Sequence, residues 1–223
     1  MRAARLAREA RKPNWAKLRK ALRPELEQKR DDALTLLGDG VSAVDLHDGR
    51  VAELVVPARS FMDHGARLLE RAPWVRHLHI TDYREVGPSL FEASVFRGIQ
   101  SLGLVRQGLT DDDIVVMAQS PHIGSLRWLD LSGNRLTGRA HETIACSSSL
   151  ARLAYLGLDD NASPSPVDRA SSDVFDGAIV ETWTTEAGRS LERKARRRLA
   201  WLHAPERFSR SYPPTPLDVA TAQ

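Results

Sequence analysis

The sequence predicts an α/β fold in which short parallel strands stack side by side and helices cover one face of the sheet. Three observations lead to this prediction. An apolar pattern returns at a regular spacing, each copy alternates in the manner of a strand, and the stretches between copies carry helical apolar spacing. Such an array is a solenoid with its sheet on the concave side and helices on the convex side, closed by caps at both ends.

Residues 1–50 precede the first copy of the pattern and predict a basic helical N-terminal cap. A cap is expected because the end of a stacked array otherwise exposes its core and an open strand edge. Apolar residues recur at helical spacing within residues 14–37. They are Trp15, Leu18, Leu22, Leu26, Ala33 and Leu36.

The repeated pattern occupies residues 51–161. Its best-defined copy contains Leu126, Leu129, Leu131, Asn134 and Leu136, and matching residues occur 27 positions earlier and 27 positions later. Two weaker copies precede these at a spacing of 24 residues. The matching residues are Ile99, Leu102, Leu104, Gln107 and Leu109; Leu153, Leu156, Leu158 and Asn161; and, in the weaker copies, Val75, Leu78, Ile80 and Tyr83, then Val51, Leu54, Val56, Arg59 and Phe61.

Each copy contains two apolar residues separated by one position, which places both side chains on the same face of a short strand. A chain that returns to this pattern after 24 to 27 residues stacks its strands in parallel, about 4.8 Å apart, through right-handed connections. No copy can bury its apolar face alone. Because each buried leucine contributes roughly 1.5–3 kcal/mol, the stacked copies together form a continuous core.

The connections between the strands are predicted to be helical. Thr110 followed by Asp113 resembles a capping box, and Pro88 suits the first turn of another helix. The apolar residues expected on the inner faces of these helices are Phe61, Leu68 and Leu69; Leu90, Phe91 and Val95; Ile114, Met117 and Ala118; and Ala140, Ile144 and Ala145.

The pattern ends at residue 161, and the rest of the chain divides into three predicted parts. Residues 162–172 (ASPSPVDRASS) have the composition of a linker. Residues 173–212 form a C-terminal α/β cap, with a strand at 178–180 near Trp183 and one helix from Glu186 to Leu202. Its apolar face is formed by Leu191, Ala195, Leu199 and Leu202, and residues 213–223 are expected to be a disordered tail.

The string SLRWLDLSGNRLT at residues 125–137 resembles the leucine-rich-repeat superfamily in its helix-bearing, ribonuclease-inhibitor-like form. The layout, with residues 51–80 as the entry, is similar to bacterial leucine-rich-repeat proteins that carry a repeat-companion domain. The acidic helical segment usual in that family has no counterpart in residues 1–50. The resemblance covers about half of the chain.

The resemblance implies that a repeated asparagine binds backbone groups at each turn, and Asn134 and Asn161 occupy that position here. Arg59, Tyr83 and Gln107 replace it in the earlier copies. We therefore expect those copies to be less regular. The segment 51–56 is expected to act more as part of the N-terminal cap than as a true repeat.

The strand positions between the core leucines are expected to form the binding face of the array. Because Trp128 and Tyr155 occupy the same position in adjacent copies, we expect them to be lateral neighbours that anchor a protein or peptide. Cross-strand aromatic packing, or cover by the C-terminal tail, is the alternative. The candidate partner-binding residues are Glu53, His77, His79, Trp128, Asp130, Ser132, Tyr155 and Asp159, with Val55, Thr81, Ser101, Gly103, Val105 and Gly157 on the same face.

The sequence offers little support for chemistry. His77 and His79 share one strand face, but the next strand offers only Ser101 and Gly103, so a third metal ligand would have to come from Glu53 or elsewhere. Ser132 has no histidine in its own copy, and no known nucleophile, metalloprotease or phosphate-loop motif occurs. We therefore predict a non-enzymatic interaction module without metal or cofactor.

The distribution of charge along the chain indicates an alternative function. Residues 1–30 hold eleven Lys and Arg against three Glu, and residues 189–198 hold six against one, on either side of an acidic middle. Basic flanks can bind nucleic acid or an anionic surface, or they can form solvated helix faces on a scaffold that has no tight ligand.

Compartment and assembly are also predicted from composition. No apolar stretch approaches the ~20 residues of a membrane-spanning helix, and the opening residues lack the apolar centre of a secretory signal. Cys146 is the single cysteine, so it cannot form an internal disulfide and is expected to be a small buried thiol. We expect a cytoplasmic monomer.

Overall fold

The chain forms a six-stranded sheet with helices packed on it, followed by a two-stranded sheet and two short helices. The computed structural model describes residues 27–38, 40–47, 50–163, 166–170, 181–184 and 186–203. Within the larger sheet the strands follow chain order, the first pair being antiparallel and every later pair parallel. The predicted α/β class is confirmed.

The larger sheet consists of β1 (Ala43–His47), β2 (Arg50–Pro57), β3 (His77–Thr81), β4 (Ser101–Gly103), β5 (Trp128–Asp130) and β6 (Tyr155–Gly157). The smaller sheet pairs β7 (Val167–Ala170) with β8 (Glu181–Thr184). The α-helices are α1 (27–37), α2 (Ala58–Arg71), α3 (Asp111–Gln119), α4 (Gly138–Cys146), α5 (Glu186–Ala195) and α6 (Ala200–His203). Short 3₁₀ helices occupy Tyr83–Glu85, Gly87–Glu92 and Ser94–Gly98.

The parallel strands align the repeated apolar residues in rows. Leu54, Leu78, Leu102, Leu129 and Leu156 are direct neighbours across β2 to β6, and none of them is more than 1% exposed. A second buried row lies two positions further along each strand or its extension, and consists of Val56, Ile80, Leu104, Leu131 and Leu158. These rows form the centre of one continuous hydrophobic core.

The helices after β2, β4 and β5 pack on this apolar face as expected. The predicted capping box is present, with the Thr110 backbone N–H and Oγ1 both donating to Asp113 Oδ2 at 2.7 and 2.8 Å. The residues that these helices bury include Phe61 and Leu68 from α2, Ile114, Met117 and Ala118 from α3, and Ala140, Ile144 and Ala145 from α4. Leu69 is only partly buried.

The connection between β3 and β4 differs from the prediction, because it contains 3₁₀ helices in place of an α-helix. Phe91 and Phe96 are both fully buried. On an α-helix, residues five positions apart point about 140° away from each other, so they could not both face the core. Ala93 adopts an extended backbone between two 3₁₀ turns and resolves this conflict. Pro88 lies at the start of the second 3₁₀ helix.

Asparagine side chains satisfy the backbone where the strands end. Asn134 Oδ1 accepts hydrogen bonds from the backbone N–H groups of Gln107 and Leu109, while its Nδ2 donates to the carbonyls of Leu104 and Leu131. Asn161 is arranged similarly in the next turn, where Oδ1 accepts from Leu136 N–H at 3.1 Å.

Gln107 partly replaces the asparagine in the preceding turn. Its Oε1 accepts from the backbone N–H of Tyr83 at 3.2 Å, and its Nε2 donates to the carbonyl of Val105 at 2.9 Å. The glutamine thus makes fewer links between turns than Asn134, and Tyr83 instead donates its hydroxyl to Asp113 Oδ1 at 2.9 Å. Burial and this hydrogen bond raise the pKa of Tyr83, so its hydroxyl stays protonated.

The N-terminal part of the prediction needs correction. Residues 1–50 were expected to be helical, but β1 lies at 43–47 and pairs antiparallel with β2, covering the edge of the sheet with a strand. In α1, Leu37 is 4% exposed whereas Leu36 is 65% exposed, so the prediction that Leu36 faces the core is wrong. The predicted contacts of Trp15, Leu18, Leu22 and Leu26 lie outside the described residues.

The segment 51–56 also differs from expectation. It lies within β2, which pairs in parallel with β3 in the same register that relates the later copies. Leu54 is the neighbour of Leu78 in the leucine row, and Val56 is the neighbour of Ile80 in the second buried row. The first copy therefore takes part in the parallel sheet fully, and the capping of that edge is done by β1.

The C-terminal part of the chain also differs from the prediction. Residues 167–170 of the predicted linker form β7. The expected single helix over 186–202 is broken at Arg196, whose φ of 53° is incompatible with a continuous α-helix, and it resumes as α6. Leu191, Leu199 and Leu202 are nevertheless buried. The strand expected at 178–180 and the tail at 213–223 lie outside the described residues.

Two further observations concern expectations from composition. In the part of the chain that the structure describes, no helix is both long and apolar enough to cross a membrane.

Cys146 was expected to be a buried thiol, but it is exposed at the end of α4. Its position follows from the helix period, because Ala145 and Ile144 already occupy the inner face of α4.

His141 gives a prediction about pH. It is 4% exposed in α4, and within the described residues its Nε2 has no hydrogen-bond partner. Burial lowers the pKa of His141, and the nearby Asp111 carboxylate opposes this only partly. The unfolded chain therefore binds the proton more readily, so we expect stability to fall as the pH drops below the ordinary histidine pKa of about 6.5.

Urea unfolding at about pH 7 and about pH 5 measures this effect, because histidine titrates between them. We expect His141→Leu to lose less stability than wild type over that interval, since it removes the buried imidazole. Equal losses in the two proteins would contradict the assignment. The other histidines act as an internal control because both proteins retain them.

Candidate functional site

The side of the sheet opposite the leucine rows carries the predicted binding residues. We call it the polar face and define it by two rows of neighbours across β2 to β6. The first row is Glu53, His77, Ser101, Trp128 and Tyr155, and the second is Val55, His79, Gly103, Asp130 and Gly157. The predicted lateral pairs Trp128 with Tyr155 and Asp130 with Gly157 are both present.

Four of these side chains form a connected series. Glu53 Oε1 lies 3.0 Å from His79 Nε2, and the His79 ring meets the Trp128 ring edge-on with 6.4 Å between centroids. Trp128 stacks on Tyr155 with centroids 5.1 Å apart and an interplanar angle of 8°. Because Glu53 and Tyr155 belong to β2 and β6, the series spans all five parallel strands.

The two aromatic residues expected to anchor a partner differ in their exposure. Trp128 is 7% exposed, whereas Tyr155 is half-buried. The ring of Trp128 has the imidazole on one side and the phenol on the other, which accounts for its burial. The cross-strand packing alternative thus describes Trp128, while Tyr155 retains an accessible surface. The alternative of cover by residues 213–223 lies outside the described residues.

Two glycines in the second row provide the room that their neighbours need. A Cβ atom at Gly103 would lie 2.3 Å from His79 Nδ1, and one at Gly157 would lie 2.4 Å from Asp130 Oδ1. Both distances are too short for any side chain. His79 and Asp130 therefore lie across the backbone of the next strand, which brings the imidazole towards Trp128.

Asp130 and Ser132 form a second polar group. Ser132 donates its hydroxyl and its backbone N–H to Asp130 Oδ1, at 2.6 and 3.0 Å. The Asp130 carboxylate thus fixes the turn that follows β5. Asp159 belongs to the equivalent turn after β6, where its carbonyl accepts from Gly133 N–H at 2.8 Å. Asp130, Ser132 and Asp159 are half-buried, and so they remain accessible to a partner.

His77 and His79 are not placed to share a metal ion. His77 is 7% exposed in the first row, and His79 lies two positions on, against Glu53. In the described ranges no group of three or more His, Cys, Asp or Glu side chains is placed to hold a metal ion. The Ser132 hydroxyl donates to the Asp130 carboxylate. Among the described residues it has no hydrogen bond to an imidazole, which a nucleophile–base pair would need.

Sequence reasoning missed a second region, at the turns after β3, β4 and β5. A cleft of about 540 Å³ is lined there by Arg84, Arg106 and Arg135, with Asp82 and Glu85 beside them. We call it the arginine cleft. Arg84 and Arg135 occupy the same position of the turn in different copies, and Arg106 lies two positions earlier in the turn of the copy between them. Because they are far apart in the sequence, no local motif marks them. The available signal was their location in equivalent turns, just beyond the predicted strands.

The polar face lies on the strands, and the arginine cleft is formed by the turns that follow β3, β4 and β5. The polar face carries a stack of aromatic rings and accessible carboxylates, and the cleft carries guanidinium groups. Both surfaces are suited to binding by charge and stacking. Comparison with known protein families and with curated proteins gives no match for this chain.

Proposed function

We propose that residues 51–161 form a leucine-rich-repeat solenoid and that the chain acts as a non-enzymatic module that binds a protein or peptide on its polar face. Support for the repeat comes from the alignment of Leu78, Leu102, Leu129 and Leu156 in one row. The equivalent backbone bonds made by Asn134 and Asn161 support it further. In this proposal β1 and α1 cap one end of the array, and α5 and α6 cap the other.

The observation that favours a binding role is the series from Glu53 to Tyr155. It places the half-buried contact between Glu53 and His79 at one end of a packed aromatic stack and the half-buried Tyr155 at the other. Stacking on Trp128 already holds the Tyr155 side chain in one orientation, so little side-chain entropy would be lost when a partner binds there. Tyrosine anchors of this kind dominate the energy of many protein interfaces.

The size of the face indicates what it can bind. Five strands spaced about 4.8 Å apart, each contributing roughly 10 Å of length, give a projected patch on the order of 200 Å². A standard protein interface buries about 800 Å² on each partner. We therefore propose an extended peptide segment as the occupant, with Asp130 and Asp159 favouring basic residues in it.

The test is affinity capture with the purified chain as bait and quantitative mass spectrometry of the bound proteins. We expect Tyr155→Ala to reduce recovery of a specific partner at least about tenfold, which corresponds to about 1.4 kcal/mol. A second bait, Asp159→Lys, should also lose that partner. Trp128→Phe should retain most of it, since the buried ring serves chiefly to support Tyr155.

Glu70→Lys is a matched control, because Glu70 is exposed on α2, which packs on the leucine side of the sheet and not on the polar face, and the change in charge is the same as in Asp159→Lys. Circular dichroism melting checks that each bait is folded. A partner recovered equally by all four variants would place the binding site elsewhere. A chain that recovers nothing above background would favour the scaffold alternative.

Binding of nucleic acid or an anionic surface through residues 1–30 and 189–198 has less support. Arg189 and Arg193 both pair with Glu186, and Lys194 pairs with Glu142 of α4. Arg197 donates to the carbonyls of Ala145 and Ser147 at the end of α4, where a positive charge stabilises the helix. These contacts favour a packed cap. Retention of the chain on immobilised DNA in a salt titration would support nucleic-acid binding instead.

A further inference from the structure

The arginine cleft is built from backbone positions that the repeat makes equivalent. Asp82, Arg106 and Gly133 lie at spacings of 24 and 27 residues, and each has a positive φ, of 54°, 56° and 72°. Two positions beyond them lie Arg84, Gly108 and Arg135. The same turn therefore occurs three times along the cleft. Its first position holds Asp82, Arg106 and Gly133, and its second holds an arginine or a glycine in each copy.

The glycines allow the arginine side chains to lie along the cleft. A Cβ atom at Gly108 would be 2.6 Å from Arg84 Nη2, and a Cβ atom at Gly133 would be 2.4 Å from Arg106 Cγ. Each arginine thus crosses the glycine of the next turn, and Arg135 lines the same cleft from the turn beyond. Three guanidinium groups are brought to one opening in this way.

These three guanidinium groups have no carboxylate partner among the described residues. Within the part of the chain that the structure describes, no ion pair involves Arg84, Arg106 or Arg135. Asp82 Oδ2 accepts from the hydroxyl of Thr81 at 3.0 Å, and Glu85 lines the cleft without pairing to any arginine that the structure describes. The cleft therefore holds an excess of positive charge, and an anion in it would relieve the repulsion among the arginines.

We propose that the arginine cleft is a binding site for a small molecule that carries a diphosphate or a similar phosphate group. Guanidinium groups bind phosphate oxygens in a bidentate manner, and several of them suit a group with more than one negative charge. The volume of about 540 Å³ falls in the range of small-molecule sites. The site is separate from the polar face, so peptide binding there and phosphate binding here can fail independently.

The test is a calorimetric titration of the full chain with inorganic pyrophosphate at constant ionic strength, since bulk salt screens surface charges. We expect saturable binding with one site per chain. We expect the dissociation constant to rise about tenfold in each of Arg84→Gln, Arg106→Gln and Arg135→Gln, because each variant loses a charge-assisted hydrogen bond. Glu85→Gln should strengthen binding, since it removes a negative charge from the cleft.

Arg152→Gln is the matched control, because Arg152 is exposed and lies outside the cleft, and it should bind pyrophosphate as wild type does. Thermal melting verifies folding of each variant, and three separate arginine variants keep the test valid if one of them is unstable. The proposal is overturned by absence of saturation up to about 10 mM, by equal weakening in Arg152→Gln, or by weaker binding in Glu85→Gln. Tighter binding of citrate than of pyrophosphate would overturn the assignment to phosphate.

Discussion

Replacing Asn134 by alanine is expected to lower the free energy of unfolding by about 3–5 kcal/mol, a large part of the roughly 5–15 kcal/mol that holds a typical domain together. Asn134 is 6% exposed, and its amide makes four short hydrogen bonds to the backbone, two from N–H groups and two to carbonyls, beside a longer one of 3.5 Å to the carbonyl of Ser132. Alanine would leave all four without that partner. A buried, unsatisfied backbone group costs about 1–3 kcal/mol, reduced where water or a small shift restores part of the bonding.

Urea denaturation followed by circular dichroism measures this loss. Asn161→Ala is the natural comparison, because Asn161 makes equivalent bonds in the next turn but is only half-buried, so we expect a smaller loss. Asn134→Asp keeps the acceptor for Gln107 and Leu109 but turns the donor into an oxygen that faces two carbonyls, so it should also destabilise. A loss below about 1 kcal/mol for Asn134→Ala would contradict this role.

The sequence predicted the parallel sheet well because the strand rows depend only on spacing. A leucine at the same position every 24 or 27 residues must meet its equivalents when the strands stack, whatever the connections do. The same logic located the lateral pairing of Trp128 with Tyr155. It also located the eight candidate residues, all of which lie on the strands of the polar face or in the turns just after them.

Other features depended on contacts that spacing does not determine. Trp128 is buried between Tyr155 and His79, and the His79 side chain lies where a side chain at position 103 would otherwise be, since residue 103 is a glycine. The pairing of β1 with β2 is set by an antiparallel neighbour that lies outside the repeat. The break before α6 rests on the positive φ of Arg196, a conformation that an arginine rarely adopts and that no pattern indicates.

The arginine cleft shows the same limit at the level of function. Its three arginines are brought together by left-handed turn residues, one of which is itself Arg106 with a φ of 56°. Backbone strain of this kind is a property of the folded turn. The repeat spacing placed these residues in equivalent turns, but it gave no reason to expect that their side chains meet. The repeat predicts where the turns are, and the conformation of each turn determines which side chains meet.

Replacing Phe96 by alanine is the second change with a large expected effect, a loss of about 3–5 kcal/mol. Phe96 is fully buried in the 3₁₀ segment before β4, and its ring lies 5.1 Å from that of Phe61 in α2. This contact joins the irregular connection to the regular helix before it. Alanine would remove most of the ring and leave a cavity between them, whereas Val95→Ala, at a half-buried neighbour, should cost far less.

A double-mutant cycle separates the aromatic contact from simple loss of volume. Phe61→Leu and Phe96→Leu each keep much of the apolar side chain, so each should be milder than Phe96→Ala. If the tilted ring pair contributes energy of its own, the double variant should lose about 0.5–1.5 kcal/mol less than the sum of the two single losses. Strict additivity would mean that the two rings stabilise the core separately. In that case the 3₁₀ segment would be held by its own burial, and its contact with α2 would contribute nothing further.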